Sequence, residues 1–445
     1  MGEVAPYAPP ETGASIDLHL DGNEGPPPSA QILDAALRIG PEMVCRYPDT
    51  RPLEREIARA VGLAPAQVLV TAGAVDALER ALRALLAPGR EVVMPVPTSG
   101  ALGRHAMLAG GTIVEVPWLG GPLPVTEMLR RLTERTTVIV VASPNSPTGL
   151  GATRRDLEQL SDSAPGALLL VHLAYAEFAD EDLTQAALAL PNAVVTRSFS
   201  KAWGLAGLRV GWAAGNREVI DWMRVTGHPC AVSALSLAVA RERFRTGQDD
   251  VRRFVSVVRG QRGQLASLLA RLGVASPASQ GNFVLGHFDD ARWVYDALAG
   301  LGIGVRHYPG KPFLEGCLRV TVPGEPEPFD RLCTALETVL APRCVLVAGS
   351  LCVASRAGLE RLAERVTVIL VARGDQPLAD LPAGVARDRC WLVSDYMDDM
   401  RLARRLGLLP LGWSSTGDEA TRSALAGAGA ARVVSTLTEI DQLLP

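Results

Sequence analysis

The residues best suited to covalent chemistry lie in one stretch, residues 198–211, which reads SFSKAWGLAGLRVG. Its lysine, Lys201, is one of two lysines in 445 residues, the other being Lys311, so arginine supplies 42 of the 44 basic side chains (44 − 2). Among basic side chains, the amine of lysine condenses with an aldehyde. We therefore expect Lys201 to form a Schiff base with an aldehyde cofactor; the alternative is a solvated surface lysine.

Hydroxyl and guanidinium groups flank this lysine. Ser198, Ser200 and Arg209 are of the types that bind a phosphate group. A second phosphate-binding feature lies upstream, where an apolar run at 68–70 predicts a strand that breaks at Gly73 into a helix. The free backbone NH groups of such a turn attract anions, and here they belong to Gly73, Ala74 and Val75.

The elements that position these residues are predicted by apolar runs. Residues 137–143, 167–171 and 193–196 are almost continuously apolar, which is typical of strands buried on both faces of a parallel sheet. Helical patterns alternate with them, and the pattern at 234–272 predicts long helices with a break near Thr246-Gly247. The sequence therefore predicts an α/β fold.

The stretch around Lys201 resembles the cofactor-lysine motif of fold-type I pyridoxal-phosphate enzymes, in particular the histidinol-phosphate aminotransferase and threonine-phosphate decarboxylase group. The resemblance covers about residues 17 to 341. It implies a three-layer α/β/α large domain with a small α/β domain, and pyridoxal 5'-phosphate held by Lys201 as an internal aldimine. It also implies a homodimer with shared active sites.

Further residues take roles from this resemblance. Asn145, in the turn PNSPTG, matches the asparagine that donates to the phenolic oxygen of the cofactor, and Tyr175 matches the tyrosine that touches the same oxygen. Tyr47 matches a tyrosine that reaches the cofactor phosphate across the dimer interface. Asn23 and Glu24 match a turn that lies beside the substrate.

Two arginines suggest the kind of substrate. By resemblance, Arg319 clamps the substrate α-carboxylate, and Arg306 matches a position that contacts the substrate phosphate. Together they suggest a doubly anionic, amino-acid-like substrate, although either one alone could be an ordinary surface charge.

The chain also departs from the family pattern. Ser99 replaces an aromatic residue that stacks on the pyridine ring, His172 replaces the aspartate that pairs with the ring nitrogen, and Leu173 replaces a glutamate. A carboxylate keeps that nitrogen protonated, whereas a neutral imidazole could donate its NH to an unprotonated nitrogen and leave a weaker electron sink. The alternative is a core histidine in a site that no longer binds cofactor.

Beyond residue 341 the pattern changes to a small doubly wound unit. Residues 391–400 resemble the late acidic motif of haloacid-dehalogenase-like phosphatases, and Gly349-Ser350-Leu351 fits the end of their first motif. Leu346 and Ala348 stand where the catalytic aspartates should be, so we expect a degenerate, Rossmann-like domain kept for packing, dimerisation or partner docking.

The expected divisions of the chain are an arm and part of the small domain (1–45), the large domain (46–240), the small domain (241–341) and this C-terminal unit (342–445).

The amino-acid composition gives no support for several classes of function. A net charge of −4 and 48% hydrophobic residues give no sign of nucleic-acid or membrane binding. Seven cysteines without a Cys-x-x-Cys pair, and histidines without metal spacing, predict reduced thiols and no metal site. The first residues lack the features of a signal peptide, and we expect a cytoplasmic protein with a mobile N-terminal arm.

These observations favour a pyridoxal-phosphate aminotransferase of specialised metabolism, acting on an amino acid or amino alcohol with a second anionic group. One alternative is a decarboxylase of a phosphorylated amino acid, or another atypical reaction tuned by His172. A third is a non-catalytic scaffold, motivated by Ser99, His172 and Leu173.

Overall fold

The structure, a computed structural model, describes residues 14–38, 40–348, 351, 356–371 and 389–445. The predicted N-terminal arm lies largely outside these residues, as do Cys352 and the Gly349-Ser350 part of the phosphatase-like motif. Within them the chain forms three sheets, of seven, four and five strands.

The strands, in chain order, are β1 (Leu18–Leu20), β2 (Val68–Thr71), β3 (Glu91–Val96), β4 (Thr112–Pro117), β5 (Thr136–Ala142), β6 (Leu168–His172), β7 (Ala193–Ser198), β8 (Gly211–Gly215), β9 (Phe283–His287), β10 (Ile303–His307), β11 (Cys317–Thr321), β12 (Cys344–Ala348), β13 (Thr367–Val371), β14 (Cys390–Ser394), β15 (Leu409–Trp413) and β16 (Arg432–Val434).

The helices are α1 (Ala30–Leu37), α2 (Pro41–Cys45), α3 (Arg51–Val61), α4 (Gly73–Leu85), α5 (Gly100–Leu108), α6 (Val125–Arg130), α7 (Arg154–Ser163), α8 (Thr184–Leu188), α9 (Arg217–Thr226), α10 (Ala234–Thr246), α11 (Gln248–Arg271), α12 (Ala291–Gly300), α13 (Pro326–Leu340), α14 (Arg356–Arg365), α15 (Met397–Arg405), α16 (Glu419–Gly427) and α17 (Leu437–Leu443). Short 3-10 turns lie at Pro65–Gln67, Ala176–Phe178 and Ala206–Leu208.

The seven-stranded sheet has the order β2-β8-β7-β6-β5-β3-β4. Strand β8 is antiparallel to its neighbours, and the remaining pairs are parallel. Strands β6 and β7 are buried along their whole length, as their continuous apolar sequences predict. Because β5, β6 and β7 are parallel neighbours, their carboxyl ends meet at one edge of the sheet.

The four-stranded sheet faces that edge. Its order is β1-β10-β11-β9, with β1 parallel to β10 and the other pairs antiparallel. Strand β1 precedes the large sheet in sequence, whereas its neighbours follow it. The helix break predicted near Thr246-Gly247 is confirmed, since α10 ends at Thr246 and α11 begins at Gln248.

The C-terminal unit contains an all-parallel sheet of order β13-β12-β14-β15-β16. It packs on α12, which also contacts β10, so α12 lies between two sheets. Trp391 is fully buried there; its indole NH donates to the Thr338 carbonyl at 2.7 Å, and its ring meets Trp293 edge to face. One hydrophobic core therefore runs through both units.

The prediction that all the cysteines are reduced thiols is wrong for one pair. Cys344 and Cys390 occupy register positions on the adjacent strands β12 and β14, and the structure joins them as a disulfide. The sequence gives little sign of this pair, because the two residues are 46 positions apart and only strand pairing brings them together.

Asp17, just before β1, ties this strand to both units. Its carboxylate accepts two hydrogen bonds from Arg331 of α13, at 2.6 and 3.1 Å, and one from Arg404 of α15 at 2.7 Å. These bonds, opposed by partial burial, lower the pKa of Asp17 to about 2.

We expect Asp17→Asn to lower the free energy of unfolding by roughly 1 kcal/mol at pH 7, because the site is partly exposed and screened. A depressed carboxyl pKa stabilises the fold above the unfolded pKa, and this contribution is lost as the pH falls from about 4 towards about 2. Urea denaturation of both proteins between pH 7 and pH 3 measures this. Asp398→Asn, which removes an exposed pair within α15, is the control; an equal effect of both substitutions would contradict the prediction.

Candidate active site

A cavity of about 250 Å³ lies where the carboxyl ends of β5, β6 and β7 face the four-stranded sheet. Its lining residues are Asp21, Gly22, Thr98, Ser99, Gly100, Ala142, Pro144, Ser146, Pro147, His172, Tyr175, Lys201, Arg306, Tyr308 and Arg319. A larger groove of about 690 Å³ runs between α11 and α13, but none of the predicted site residues lines it. The smaller cavity is therefore the candidate active site.

Lys201 enters this cavity from the loop after β7. Its Nζ donates to the Gly22 carbonyl at 2.7 Å and lies 5.7 Å from the centre of the Tyr175 ring. The segment after β1 packs closely on this loop, since a Cβ at Gly25 would collide with the Lys201 carbonyl oxygen. Lys201 is thus a half-buried amine held by a hydrogen bond to the segment after β1, not a solvated surface lysine.

A cradle for an anion adjoins the same loop. Gly73 opens α4 with φ +79°, and a Cβ there would lie 2.7 Å from an Arg209 guanidinium nitrogen. Arg209 also donates to Ser200 Oγ at 3.3 Å, and the Ser200 NH donates to Ser198 Oγ at 3.0 Å. A helix N-terminus and a guanidinium both favour negative charge at one point, so these residues fit a phosphate group.

Tyr175 is held from the side of the four-stranded sheet. Asn23, fully buried, donates to its hydroxyl at 3.1 Å, and Thr321 donates to Asn23 Oδ1 at 2.9 Å. Burial acts to raise the pKa of Tyr175, but the positive charges of Lys201 and Arg319 outweigh it and lower the pKa below its ordinary value.

Asn145 lies in the turn after β5, but its amide is already engaged. It donates to the Pro97 carbonyl and to Thr148 Oγ1, both at 2.9 Å, and accepts from Thr98 Oγ1 at 2.7 Å. These bonds fix the cavity wall that carries Thr98 and Ser99. Its donation to a cofactor oxygen stays a prediction.

His172 ends β6 and lines the cavity. Its Nδ1 lies 2.8 Å from Oγ1 of Thr196, its register partner on β7. Burial, with a further contribution from the charge of Lys201, lowers the pKa of His172 to about 4. The ring is therefore neutral near pH 7.

Arg306 and Arg319 are directly opposite each other on the antiparallel strands β10 and β11. Arg319 donates to Ser146 Oγ at 3.0 Å and to the Asp21 carbonyl, while its buried Nε has no hydrogen-bond partner within the ranges that the structure covers. Like charges opposite each other on a sheet are unfavourable, and an unpaired buried donor is costly. Both features indicate a place for an anion.

Of the predicted site residues, His172, Tyr175, Lys201, Arg306 and Arg319 line the cavity, whereas Tyr47 and Glu24 lie away from it at the protein surface. Tyr47 is 90% exposed at the protein surface. Glu24 is exposed too, and its carboxylate lies over Gly22. Conversely, sequence reasoning missed Asp21, Ser146, Tyr308 and Thr196; Asp21 and Ser146 adjoin predicted motifs, whereas only strand register reveals Thr196.

Comparison with known proteins identifies the class. Residues 18–336 match the sequence profile of the family described as aminotransferase class I and II. The chain belongs to this family, whose cofactor is pyridoxal phosphate, and it is a pyridoxal-phosphate-dependent transferase.

Several similar proteins are histidinol-phosphate aminotransferases. Histidinol-phosphate aminotransferase of Dinoroseobacter shibae is 35% identical over 322 residues, covering 70% of this chain and 88% of the relative. That of Roseiflexus castenholzii is 33% identical, covering 72% and 89%. A crystal structure of histidinol-phosphate aminotransferase from Sinorhizobium meliloti in complex with pyridoxal-5'-phosphate matches the fold with a TM-score of 0.65 at 23% identity, covering 72% of this chain and 90% of that one.

None of the helices in the described ranges has the length and apolar character needed to cross a lipid bilayer. The same ranges contain no cluster of three or more His, Cys, Asp or Glu side chains able to hold a metal ion.

The low pKa of His172 predicts a pH dependence of stability. Because the folded value of about 4 lies below the ordinary value of 6.5, the unfolded chain binds more protons between these pH values, and stability falls as the pH drops. We expect His172 to account for a loss of roughly 2 kcal/mol between pH 7.5 and pH 5.

Urea denaturation of the wild-type protein and His172→Gln across this range measures the loss, which should be smaller in the variant. In Lys201→Ala, which removes the repelling charge but not the burial, the loss should be intermediate. The same pH slope in the wild-type protein and His172→Gln would contradict the assignment.

Proposed function

We propose that the chain transfers the amino group of an amino acid or amino alcohol that carries a second anionic group, with Lys201 as the catalytic residue. The observation that carries this proposal is the Lys201 amine inside the cavity, beside the cradle formed by Gly73, Ser200 and Arg209. The proposal assigns Ser198 and the first-turn NH groups of Ala74 and Val75 to the same phosphate.

When bound, pyridoxal phosphate supplies an aldehyde that takes up the substrate amine and a ring that withdraws electrons from the substrate α-carbon. The chain's own residues bind and orient the substrate and move protons. Lys201, released from its bond to the Gly22 carbonyl, would carry the proton at the α-carbon. Tyr175, whose pKa is lowered, and Asn145 would face the phenolic oxygen.

The two arginines that face each other, Arg306 and Arg319, would orient the substrate. Arg319, whose Nε has no hydrogen-bond partner among the residues that the structure describes, would hold the α-carboxylate, and Arg306 would hold the second anion from the opposite strand. A substrate with two negative charges would relieve the repulsion between the guanidinium groups.

A second candidate is decarboxylation of a phosphorylated amino acid, or another atypical reaction. The observation that favours it is that His172 stands in place of a carboxylate. A neutral imidazole would then be the partner of the cofactor's ring nitrogen. A scaffold without chemistry has less support, since the cavity retains Lys201, Tyr175 and Arg319 together.

We further propose a homodimer in which Tyr47 reaches the phosphate of the partner's site. Its support is a set of exposed apolar side chains on α1 and α2, which both contact α10, and on α10 itself, namely Leu33, Met43, Val44 and Leu235; α2 ends two residues before Tyr47. The role of Asn23 and Glu24 beside the substrate is also proposed; Asn23 supports Tyr175, whereas Glu24 would have to move. The cytoplasmic location stays a prediction.

For the C-terminal unit we propose a degenerate haloacid-dehalogenase-like domain with a packing role, spanning 342–445 after domains at 1–45, 46–240 and 241–341. Leu346 and Ala348 lie buried in β12, where such a phosphatase needs acidic side chains. Asp399 is 3% exposed and accepts a hydrogen bond from Ser394 at 2.6 Å. The shared core with α12 supports packing.

The two lysines allow a matched test of the cofactor site. We expect the purified chain mixed with pyridoxal phosphate to show a visible absorbance band that borohydride removes, leaving a pyridoxyl group on Lys201. Lys201→Ala should lack the band and lose roughly 10³-fold or more in turnover. Lys311→Ala, the control at an exposed lysine, should behave as the wild type; a band that survives in Lys201→Ala would contradict the proposal.

The arginine pair predicts substrate preference. We expect Arg306→Leu to lower kcat/KM about 10- to 100-fold for phosphorylated and dicarboxylic amino acids, because one charged hydrogen-bond partner is lost. Amino acids with one carboxylate should be little affected. Arg319→Leu should impair both substrate classes, and Arg292→Leu, on the exposed face of α12, neither. Equal losses for both classes in Arg306→Leu would contradict the assignment.

A further inference from the structure

His172 and Thr196 form an isolated polar pair between two buried strands. They are register partners on β6 and β7, with Nδ1 and Oγ1 2.8 Å apart. Thr196 is fully buried, and in the described part of the chain its hydroxyl has no other hydrogen-bond partner. This pairing restricts where each proton can be.

A buried hydroxyl without a second acceptor must donate its hydrogen to the one acceptor that it reaches. For Thr196 that acceptor is His172 Nδ1. The imidazole therefore accepts at Nδ1 and carries its own hydrogen at Nε2, because a neutral ring has one N–H. Nε2, the ring nitrogen beyond Cε1 from Nδ1, belongs to a residue that lines the cavity.

The surroundings keep the ring neutral. The basic residues lining the cavity are Lys201, Arg306 and Arg319, and the other titratable ones are Asp21, Tyr175 and Tyr308. Burial and the charge of Lys201 disfavour an imidazolium, and the pKa of His172 is lowered to about 4. The same positive groups disfavour a proton on any base that is placed next to His172.

We propose that the His172–Thr196 pair presents an Nε2–H donor to the ring nitrogen of pyridoxal phosphate and holds that nitrogen unprotonated, with Thr196 as the positioning residue that selects the tautomer. The inference rests on the proposed function, since it needs the cofactor bound through Lys201. A ring nitrogen without a proton withdraws electrons less strongly. The chain is thus set for a reaction that places less negative charge on the ring than ordinary transamination does.

The test uses full-length protein loaded with pyridoxal phosphate labelled with ¹⁵N in the ring, and reads the ring-nitrogen chemical shift by NMR. Free cofactor at high and low pH gives the reference shifts for the unprotonated and protonated ring. We expect the wild-type signal at the unprotonated reference, and the His172→Asp signal at the protonated one.

Two variants of Thr196 test the tautomer. Thr196→Ser keeps the hydroxyl, and its signal should match the wild type. Thr196→Val is nearly isosteric but removes the donor, so the hydrogen can move to Nδ1, and Nε2 becomes an acceptor. Its signal should shift towards the protonated reference. Near-UV circular dichroism confirms that each variant is folded, so that a loss of structure is not mistaken for a change of tautomer.

A protonated ring nitrogen in the wild-type protein would overturn the inference and leave the proposed function intact. A wild-type signal in Thr196→Val would overturn the role of Thr196. Absence of any bound-cofactor signal in the wild type, with Lys201 unmodified, would instead overturn the proposed function on which the inference rests.

Discussion

The constraint on which the site depends is the concentration of positive charge at one edge of the large sheet. Lys201, Arg306 and Arg319 line a single cavity of about 250 Å³, and Arg209 faces a helix N-terminus beside it. Such groups repel one another. The fold holds Lys201 and Arg319 with neutral acceptors, namely the Gly22 and Asp21 carbonyls and the Ser146 hydroxyl, so the charge of these two residues remains available to anionic ligands.

This arrangement requires the N-terminal residues to pack against strands and loops that come much later in the sequence. Strand β1 joins the small sheet beside β10, and the next residues supply Gly22 to Lys201 and Asn23 to Tyr175. Asn282 donates in turn to the Asn23 carbonyl at 3.1 Å. The regions of the seven-stranded and four-stranded sheets are therefore linked by hydrogen bonds between residues more than 150 positions apart, and the cavity exists only when both have folded.

The local elements were largely predictable, because continuous apolar runs and glycine turns act over short distances. The strands that end at His172 and Ser198, and the helix opened by Gly73, follow from such runs. The rarity of lysine and the motif around Lys201 pointed to the site. Strand register was not predictable, and it decides that Thr196 lies beside His172, that Arg306 faces Arg319, and that Cys344 pairs with Cys390.

The position of α12 between two sheets limits how the chain can be divided. One side of this helix packs on β10, which carries Arg306, and the other side meets β15 and β16 of the C-terminal unit. Trp293 on this helix is 4% exposed because Trp391 and Arg432 cover it. The C-terminal unit is thus not an interchangeable module. Removal of the unit would expose the apolar surface of Trp293 to water, so the rest of the chain depends on the unit for the burial of this helix.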